Sequence, residues 1–489
     1  MLLALVAGAW ALPSAAAGFP QGVASGDVTP TSAVLWTRTD AEADLTVEVS
    51  TDPVFQAPGL LRTARAAAES DFTVKLLVEP LDPGRTYFYR FRDGVSHSET
   101  GVFKTAPPRS ATAGVRFAFS GDSDAGVNQF EALEAARREG LDFFVYLGDT
   151  IYADSPHRGP LGPAQTLEQY REAYKINRQY PALRELLRST STYAIWDDHE
   201  VRDDFAGLAV DPLLYANGRR AFLEFLPLGP LLLPDPRACP ADPLFRFFHW
   251  GKDIDIIILD ERTCRSPSAQ RACSTSGQPD LAPALPALFR LTAGQTPAPP
   301  PGCLEALSDP ARTMLGPFQK LVFKAALLYS RARFKFVINQ VAIQQFYGLP
   351  YDRWEGYAAE RNEILNFIRE HRLRNVIFLT ADAHANFMNH VYVDRFRDPE
   401  PIAYEFVTGP IATRTLGRDL ELASPEALVA INAILDLIGM ECRHLDAYSY
   451  GLVEVDPQAS SAAITLKDDQ GRPLRSQNNP AVTCAKSFE

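Results

Sequence analysis

At 489 residues the chain is too long for one ordinary domain, and its 46% hydrophobic content supplies a large packed core. Charged residues make up 22%, with 60 acidic against 48 basic side chains and a formal net charge of −12. That balance excludes a nucleic-acid backbone as the expected partner, because neutralising phosphates calls for a basic surface.

Residues 1–17 form an apolar run followed by small residues, and Ala15-Ala16-Ala17 supplies an A-x-A-like cleavage site. This reads as a signal peptide, although the basic start is missing, and it implies a secreted, periplasmic or extracellular protein. An apolar tail or a first strand is the plainer alternative. Residues 19–106 read as a small β-sandwich domain of fibronectin or immunoglobulin type. Runs at 33–37, 45–49, 72–76 and 87–91 are rich in β-branched and aromatic residues and are punctuated by Asp82-Pro83-Gly84 and Asp93-Gly94. Pro107 and Pro108 mark a stiff linker.

A second domain, 114–489, follows a different pattern. Residues 115–119 and 143–147 are buried-type strands flanking a helical stretch at 128–139, which makes a parallel α/β unit. A helical stretch at 167–187 is broken at Pro181. Further apolar strands end at Trp196, Leu259, Ile338 and Thr380, and the tail returns to strands at 449–455 and 462–466. The segment from about 231 to 301 is rich in Pro, Ala, Ser and Cys and reads as an excursion from the core. Residues 428–440 are apolar but short, which predicts a buried helix. After the first residues, no stretch reaches the roughly 18 apolar residues that a membrane span requires. The six cysteines lack close C-x-x-C spacing, so with export they suggest disulfides; 15 pairings stay open.

One regularity points to chemistry: an apolar strand followed at its carboxyl end by a polar group. Asp122, Asp149, Asp198, Asp260, Asn339 and Asp382 with His384 all obey it. Ligand sites in α/β sheets fall at those ends, and strand ends hold side chains rigidly enough for metal coordination. A single Asp there would as readily cap a helix; the repetition favours a shared site. Oxygen ligands with few histidines and no thiolate suit Fe(III), Mn, Mg or Ca better than a closed zinc site. Tyr152, three residues after Asp149, adds a phenol, whose high intrinsic pKa matches a strongly Lewis-acidic ion such as Fe(III). A packed aromatic is the plainer reading of Tyr152.

The motifs at 148–154 (GDTIYAD), 196–201 (WDDHEV) and 380–384 (TADAH) resemble the signature blocks of the alkaline phosphatase D (PhoD-type) family within the calcineurin-like metallophosphoesterases. Residues 22–27 and 35–38 resemble that family's N-terminal domain. The resemblance implies a four-layer α/β/β/α sandwich preceded by the small β-sandwich. It implies two or more metal ions, Fe(III) with Ca2+ foremost and Mn2+, Mg2+ or Zn2+ as alternatives. Their ligands would be Asp149 as a bridge, with Tyr152, Asp198, Asp382 and His384. The family commonly carries Ser-Cys after the first strand; here Ser120-Gly121 stands instead, so Asp122, with Asp124, is expected to take over. His199 is expected to protonate the leaving group or bind phosphate, and Arg262 and Asn339 to bind phosphate, with a surface salt bridge as the other reading of Arg262. The implied activity is phosphomonoester or phosphodiester hydrolysis by a metal-bound hydroxide, for phosphate acquisition. Phospholipase D-like cleavage and a non-catalytic extracellular binding module are the alternatives. The substrate would be a small-molecule or lipid phosphate ester.

Overall fold

The computed structural model describes residues 18–56, 59–155, 162–207, 209–229, 243–291, 296–398 and 400–489. The expected signal peptide at 1–17 lies outside the described residues, as does 230–242 of the excursion. The strands run in chain order β1 Val23–Gly26, β2 Ala33–Arg38, β3 Ala43–Ser50, β4 Leu60–Ala66, β5 Thr73–Val78, β6 Thr86–Arg92 and β7 Gly101–Lys104. They continue with β8 Val115–Ser120, β9 Phe143–Leu147, β10 Ser191–Ile195, β11 Arg246–Trp250, β12 Ile254–Ile258 and the short β13 Ser274–Thr275 and β14 Gln278–Pro279. The last are β15 Phe334–Ile338, β16 Val376–Thr380, β17 Asn386–Val391, β18 Ala403–Val407, β19 Cys442–His444, β20 Ser449–Asp456, β21 Ser461–Asp468 and β22 Ala485–Phe488.

Two large sheets carry the second half of the fold. One has the order β22-β21-β20-β8-β9-β10-β1-β2-β5, the other β11-β12-β15-β16-β18-β17-β19. Their central strands are parallel and buried along their whole length in β9, β10, β12, β15 and β16. This is why the sequence there is continuously apolar rather than alternating: both faces of a parallel sheet are covered. The sheets meet through aromatic contacts, Phe117 against Phe336 at 5.3 Å and Phe143 against Trp250 at 4.7 Å. Helices Leu167–Asn177, Pro181–Ser189 and Pro212–Phe225 pack over the first sheet, while Gly316–Tyr329 and Ala358–Glu370 pack over the second. The layers are therefore α/β/β/α, as expected.

Local chemistry sets the helix boundaries. Thr166 and Gln169 form a reciprocal capping box before Leu167. The stretch expected to break at Pro181 is two helices, with Pro181 opening the second, where its missing N–H costs nothing. The expectation of a buried helix at 428–440 fails in part. Helix Pro425–Leu437 buries Ile434 and Leu435 but leaves Val429 69% exposed. Strands β11 and β12 fall within 231–301 yet belong to the second sheet, so that part of the stretch is core.

The N-terminal strands form a four-stranded sheet β4-β3-β6-β7 facing β1-β2-β5. The second of these does not stop at the linker. Gly26 of β1 pairs in parallel with Thr192 of β10, so the first large sheet runs on into the N-terminal unit. A Cβ at Gly26 would lie 2.5 Å from the Pro227 carbonyl and 2.6 Å from that of Thr192, so only glycine allows this approach.

Two disulfides are formed among the described residues, Cys273–Cys303 and Cys442–Cys484. The second ties β19 at the edge of one large sheet to the residue preceding β22 at the edge of the other. Beside it, Glu441 accepts from the Tyr404 hydroxyl at 2.7 Å and pairs with His390 and Lys486. Burial would raise the Glu441 carboxyl, but these partners outweigh it and hold the pKa at about 2. Its folded pKa is thus depressed, so its stabilisation is present above the ordinary glutamate pKa and is lost as pH falls from there toward 2. Two outcomes are expected. The Cys442→Ser/Cys484→Ser protein should lose about 4 kcal/mol of stability by denaturant titration, the chain-entropy value for closing a loop of this length. Between roughly pH 5 and pH 2 the wild type should lose more stability than Glu441→Gln, and parallel pH curves would remove Glu441 from this role.

Candidate metal centre

The carboxyl ends of the central strands deliver the polar groups to one place. From the first sheet come Asp122 after β8, Asp149 after β9 and the pair Asp197-Asp198 after β10; from the second come Asp382 and His384 after β16. The chain leaves these strands through left-handed turns, with φ of 64° at Asp122, 46° at Asp149, 63° at Asp382 and 48° at His384. Asp tolerates that conformation better than most residues, and strained turns of this kind aim a side chain sharply away from the sheet. The turn at Gly148 needs glycine: φ is 85°, and a Cβ would lie 2.5 Å from the Asp197 Cβ. Gly121 is equally confined, since a Cβ there would meet the Ala381 Cβ at 2.9 Å. The position where the family commonly has cysteine is closed by packing in this chain.

The ligating atoms of Asp122, Asp149 and His384 lie within 4.8 Å of one another, as do those of Asp149, Asp198 and His199, and those of Asp197, Asp198 and Asp382. Asp149 and Asp198 are shared, so the groups form one connected centre. Asp122 Oδ1 accepts from the Asp382 amide at 3.2 Å, which joins the ends of the two sheets directly. The Tyr152 hydroxyl lies 3.0 Å from His384 Nε2, and its ring stacks on His199 at 4.0 Å. Of the expected ligands, Asp122, Asp149, Tyr152, Asp198, Asp382 and His384 are thus brought together. Asp124 stands apart from these groups, accepting from the Ser155 hydroxyl at 2.9 Å on the wall of the adjoining cleft.

The electrostatics of this cluster call for positive charge. Asp122 Oδ2, Asp149 Oδ2, Asp197 Oδ2 and Asp198 Oδ1 are buried without a hydrogen-bond partner. Burial, and then the neighbouring carboxylates, raise Asp122, Asp149 and Asp382 well above the ordinary aspartate pKa. Asp197 is pushed up by burial against the pull of Arg262, to about 7. Tyr152 is raised by burial and then by Asp149, Asp122 and Asp198. His384 is lowered by burial and then by His199 to about 4, so at neutral pH its imidazole is uncharged. Unpartnered carboxylate oxygens, a phenol and a neutral imidazole turned toward one spot fit hard cations bound through oxygen and nitrogen.

The remaining expected residues play other parts. His199 Nδ1 pairs with Asp154 Oδ1 at 2.6 Å, and its backbone N–H donates to Asp149 Oδ1 at 3.1 Å. Arg262 is fully buried: it pairs with Asp197, reaches Asp198 Oδ2 at 3.5 Å and grips Asp352 at 2.8 and 2.9 Å. A guanidinium committed to three carboxylates orients ligands and does not face a substrate, and it is no surface salt bridge. Asn339 is also turned away from any phosphate. Its amide NH2 reaches Thr380 and Glu405, and its oxygen accepts from the Trp354 indole at 3.0 Å. Asp260 caps the loops around Trp196, Leu244 and Thr263. The strand-end pattern does not single out Asp197, although it adjoins Asp198. It also missed Glu200, whose carboxylate accepts from Thr150 at 2.6 Å and from the Asp197 amide at 2.9 Å. Asp204 and Asp352, which group with Asp198, stand in loops where no strand-end pattern marks them. A cleft of about 750 Å3 opens from Tyr152 and His199 to solvent.

The PhoD-like phosphatase family model matches residues 116–465, and the model for the N-terminal domain of PhoD-like phosphatases matches 6–107. The chain is 27% identical over 439 residues to alkaline phosphatase D of Bacillus subtilis (strain 168), covering 82% of this chain and 70% of that protein. A solved structure of PhoD superposes with a TM-score of 0.77 at 23% identity, covering 98% of this chain and 91% of that one. Purple acid phosphatase PPD1 from yellow lupin seeds superposes with a TM-score of 0.52 at 10% identity, covering 95% and 73%. These two likenesses show a shared fold.

Because like charges crowd the centre, Asp122→Asn in chelator-treated protein should melt higher than the chelator-treated wild type, whereas metal addition should raise the wild-type midpoint more. Calorimetry on the four samples checks this; a wild-type midpoint indifferent to chelation and metal would refute the charge argument.

Proposed function

The chain belongs to the PhoD-like phosphatase family and is a phosphoester hydrolase, and from that premise we propose that it works outside the cytoplasm as a metal-dependent phosphomonoesterase or phosphodiesterase that releases phosphate. The observation that carries the reading is the convergence of Asp122, Asp149, Asp197, Asp198, Asp382 and His384 from two sheets, with orphaned oxygens aimed at a common point. Family membership sets aside the non-catalytic binding module. Export is supported by the disulfides and the A-x-A-like site at 15–17. Among the described residues no helix is long and apolar enough to cross a membrane.

In this reading Asp122, Asp149, His384 and Tyr152 would hold one cation, and Asp197, Asp198 and Asp382, with Asp149 beside Asp198, would hold a second; Fe(III) with Ca2+ is the pair that the family resemblance implies, and the oxygen-rich donors suit both. When bound, the cations supply Lewis acidity toward the phosphoryl oxygens and toward water. Arg262 fixes the orientation of Asp197 and Asp198, and Asp352 in turn holds Arg262 and pairs with Arg265. His199 faces the cleft with its Nε2, 3.9 Å from Asp203. Burial opposes its protonation, but Asp198 and the hydrogen-bonded Asp154 outweigh that and raise its pKa to about 10. Held by Asp154 through Nδ1 and lining the cleft, His199 is placed to give a proton to the departing alcohol oxygen, and its backbone N–H keeps Asp149 in place.

Metal-reconstituted protein should hydrolyse p-nitrophenyl phosphate, its bis-ester or phosphatidylcholine, and the order of the three rates tells monoesterase, diesterase and phospholipase D-like activity apart. Asp149→Ala should lower turnover by at least about a thousandfold with the fold intact by circular dichroism, since it is shared between both groups. Full residual activity in that variant would contradict the mechanism. If iron sits beside the phenol, the protein is coloured and Tyr152→Phe loses the visible band; a colourless, iron-free active enzyme would reject that assignment.

A further inference from the structure

The charge around the cleft differs in sign from what an anionic substrate tail would need. Among its described lining residues, Asp124, Asp154, Asp203 and Asp419 outnumber the cationic groups Arg414 and His199, and no lysine is among them. Arg414 is already paired with Asp419 at 2.9 Å, and Asp154 is held by His199. Asp203 stands at the mouth with its side chain 76% exposed. Tyr448 forms part of the same wall, and its phenol is raised by burial and then by the carboxylates of Asp446, Glu131 and Asp469, so the ground beyond it is acidic too. Glu131 and Asp469 line a neighbouring groove of about 380 Å3.

The floor of the cleft, once loaded with cations, would draw the phosphoryl group, while the described walls around the rest of the ester carry more carboxylates than cationic groups, with Tyr448 among them. We infer that the cleft selects phosphoesters whose alcohol portion carries an ammonium group and disfavours those whose alcohol portion carries a carboxylate or further phosphate. The inference rests on the phosphoesterase reading and specifies its leaving group. In the reaction a water oxygen bonds to phosphorus and the bond from phosphorus to the alcohol oxygen breaks with its electron pair on that oxygen. A proton from His199 completes the alcohol, and the proton lost by water restores His199. Asp203 and Asp419 act at a distance on the tail, through the field of the cleft, and Tyr448 lines the same wall.

The test compares kcat/KM for phosphocholine against 3-phosphoglycerate, and for glycerophosphocholine against glycerophosphoglycerol, on the metal-reconstituted full chain, with p-nitrophenyl phosphate as reference. The ammonium member of whichever pair is turned over should be preferred by about tenfold at low salt, and the preference should shrink toward 0.5 M salt as screening removes the field. Asp203→Asn/Asp419→Asn should cut that preference to about twofold while changing p-nitrophenyl phosphate turnover by no more than about twofold. Because the paired substrates differ in leaving-group reactivity, the change of preference between wild type and variant is the deciding quantity. An unchanged preference in the variant, or none in the wild type while p-nitrophenyl phosphate is hydrolysed, overturns the inference alone. No hydrolysis of p-nitrophenyl phosphate or its bis-ester after metal loading overturns the phosphoesterase reading with it.

Discussion

Several aspartates of one sign, buried within a few ångströms of each other, are the constraint around which this fold is organised. Their charges cannot coexist in a water-poor site unless something positive stands among them. The protein supplies part of that balance itself. Arg262 lies between Asp197 and Asp352, Arg265 backs Asp352, and His199 adjoins Asp198 and Asp154. The oxygens left over, on Asp122, Asp149, Asp197 and Asp198, mark where this internal compensation ends. Nearly every local peculiarity serves the same crowding: the glycine turn at 148, the left-handed aspartates, and the Glu200 carboxylate that pins the backbone of Asp197 and Thr150.

Much of this was legible in the sequence because parallel strands leave two readable traces. They are apolar on both faces, and they end where ligands gather. Asp149, Asp198, Asp382 and His384 could therefore be placed at one end of the sheets from their position after apolar runs alone. Asn339 and Arg262 stand in the same register, and there the pattern misleads. A strand end fixes where a backbone goes, but the partners of a side chain decide what it does, and Trp354, Glu405 and Asp352 come from elsewhere in the chain. Asp352 and Asp204 show the opposite failure: they join the centre from loops with no periodicity to reveal them. The apolar stretch after Pro425 is buried along Ile434, Leu435 and Ile438 but not at Val429, because composition measures how apolar a segment is, and exposure depends on what packs over it.

The division of charge between floor and rim gives the cleft its character. At the floor, carboxylates converge so closely that they act as a trap for cations. At the rim, Asp203 is solvated and Asp419 is paired with Arg414, and in the proposed selection both act on the ester through their field. One residue type thus performs two tasks, and spacing and burial decide which.

The pairing of β1 with β10 has a consequence for the architecture as a whole. Strand β10 brings Asp197 and Asp198 to the centre; β1 stands on its outer side, joined to it at Gly26 and Thr192, and without β1 it would be the outermost strand of its sheet. Such a rim invites stray strands from other molecules. The N-terminal unit thus covers part of the edge that β10 would otherwise present. The two parts of the chain therefore share one sheet, and the carboxylates that follow β10 stand beside the seam where they join.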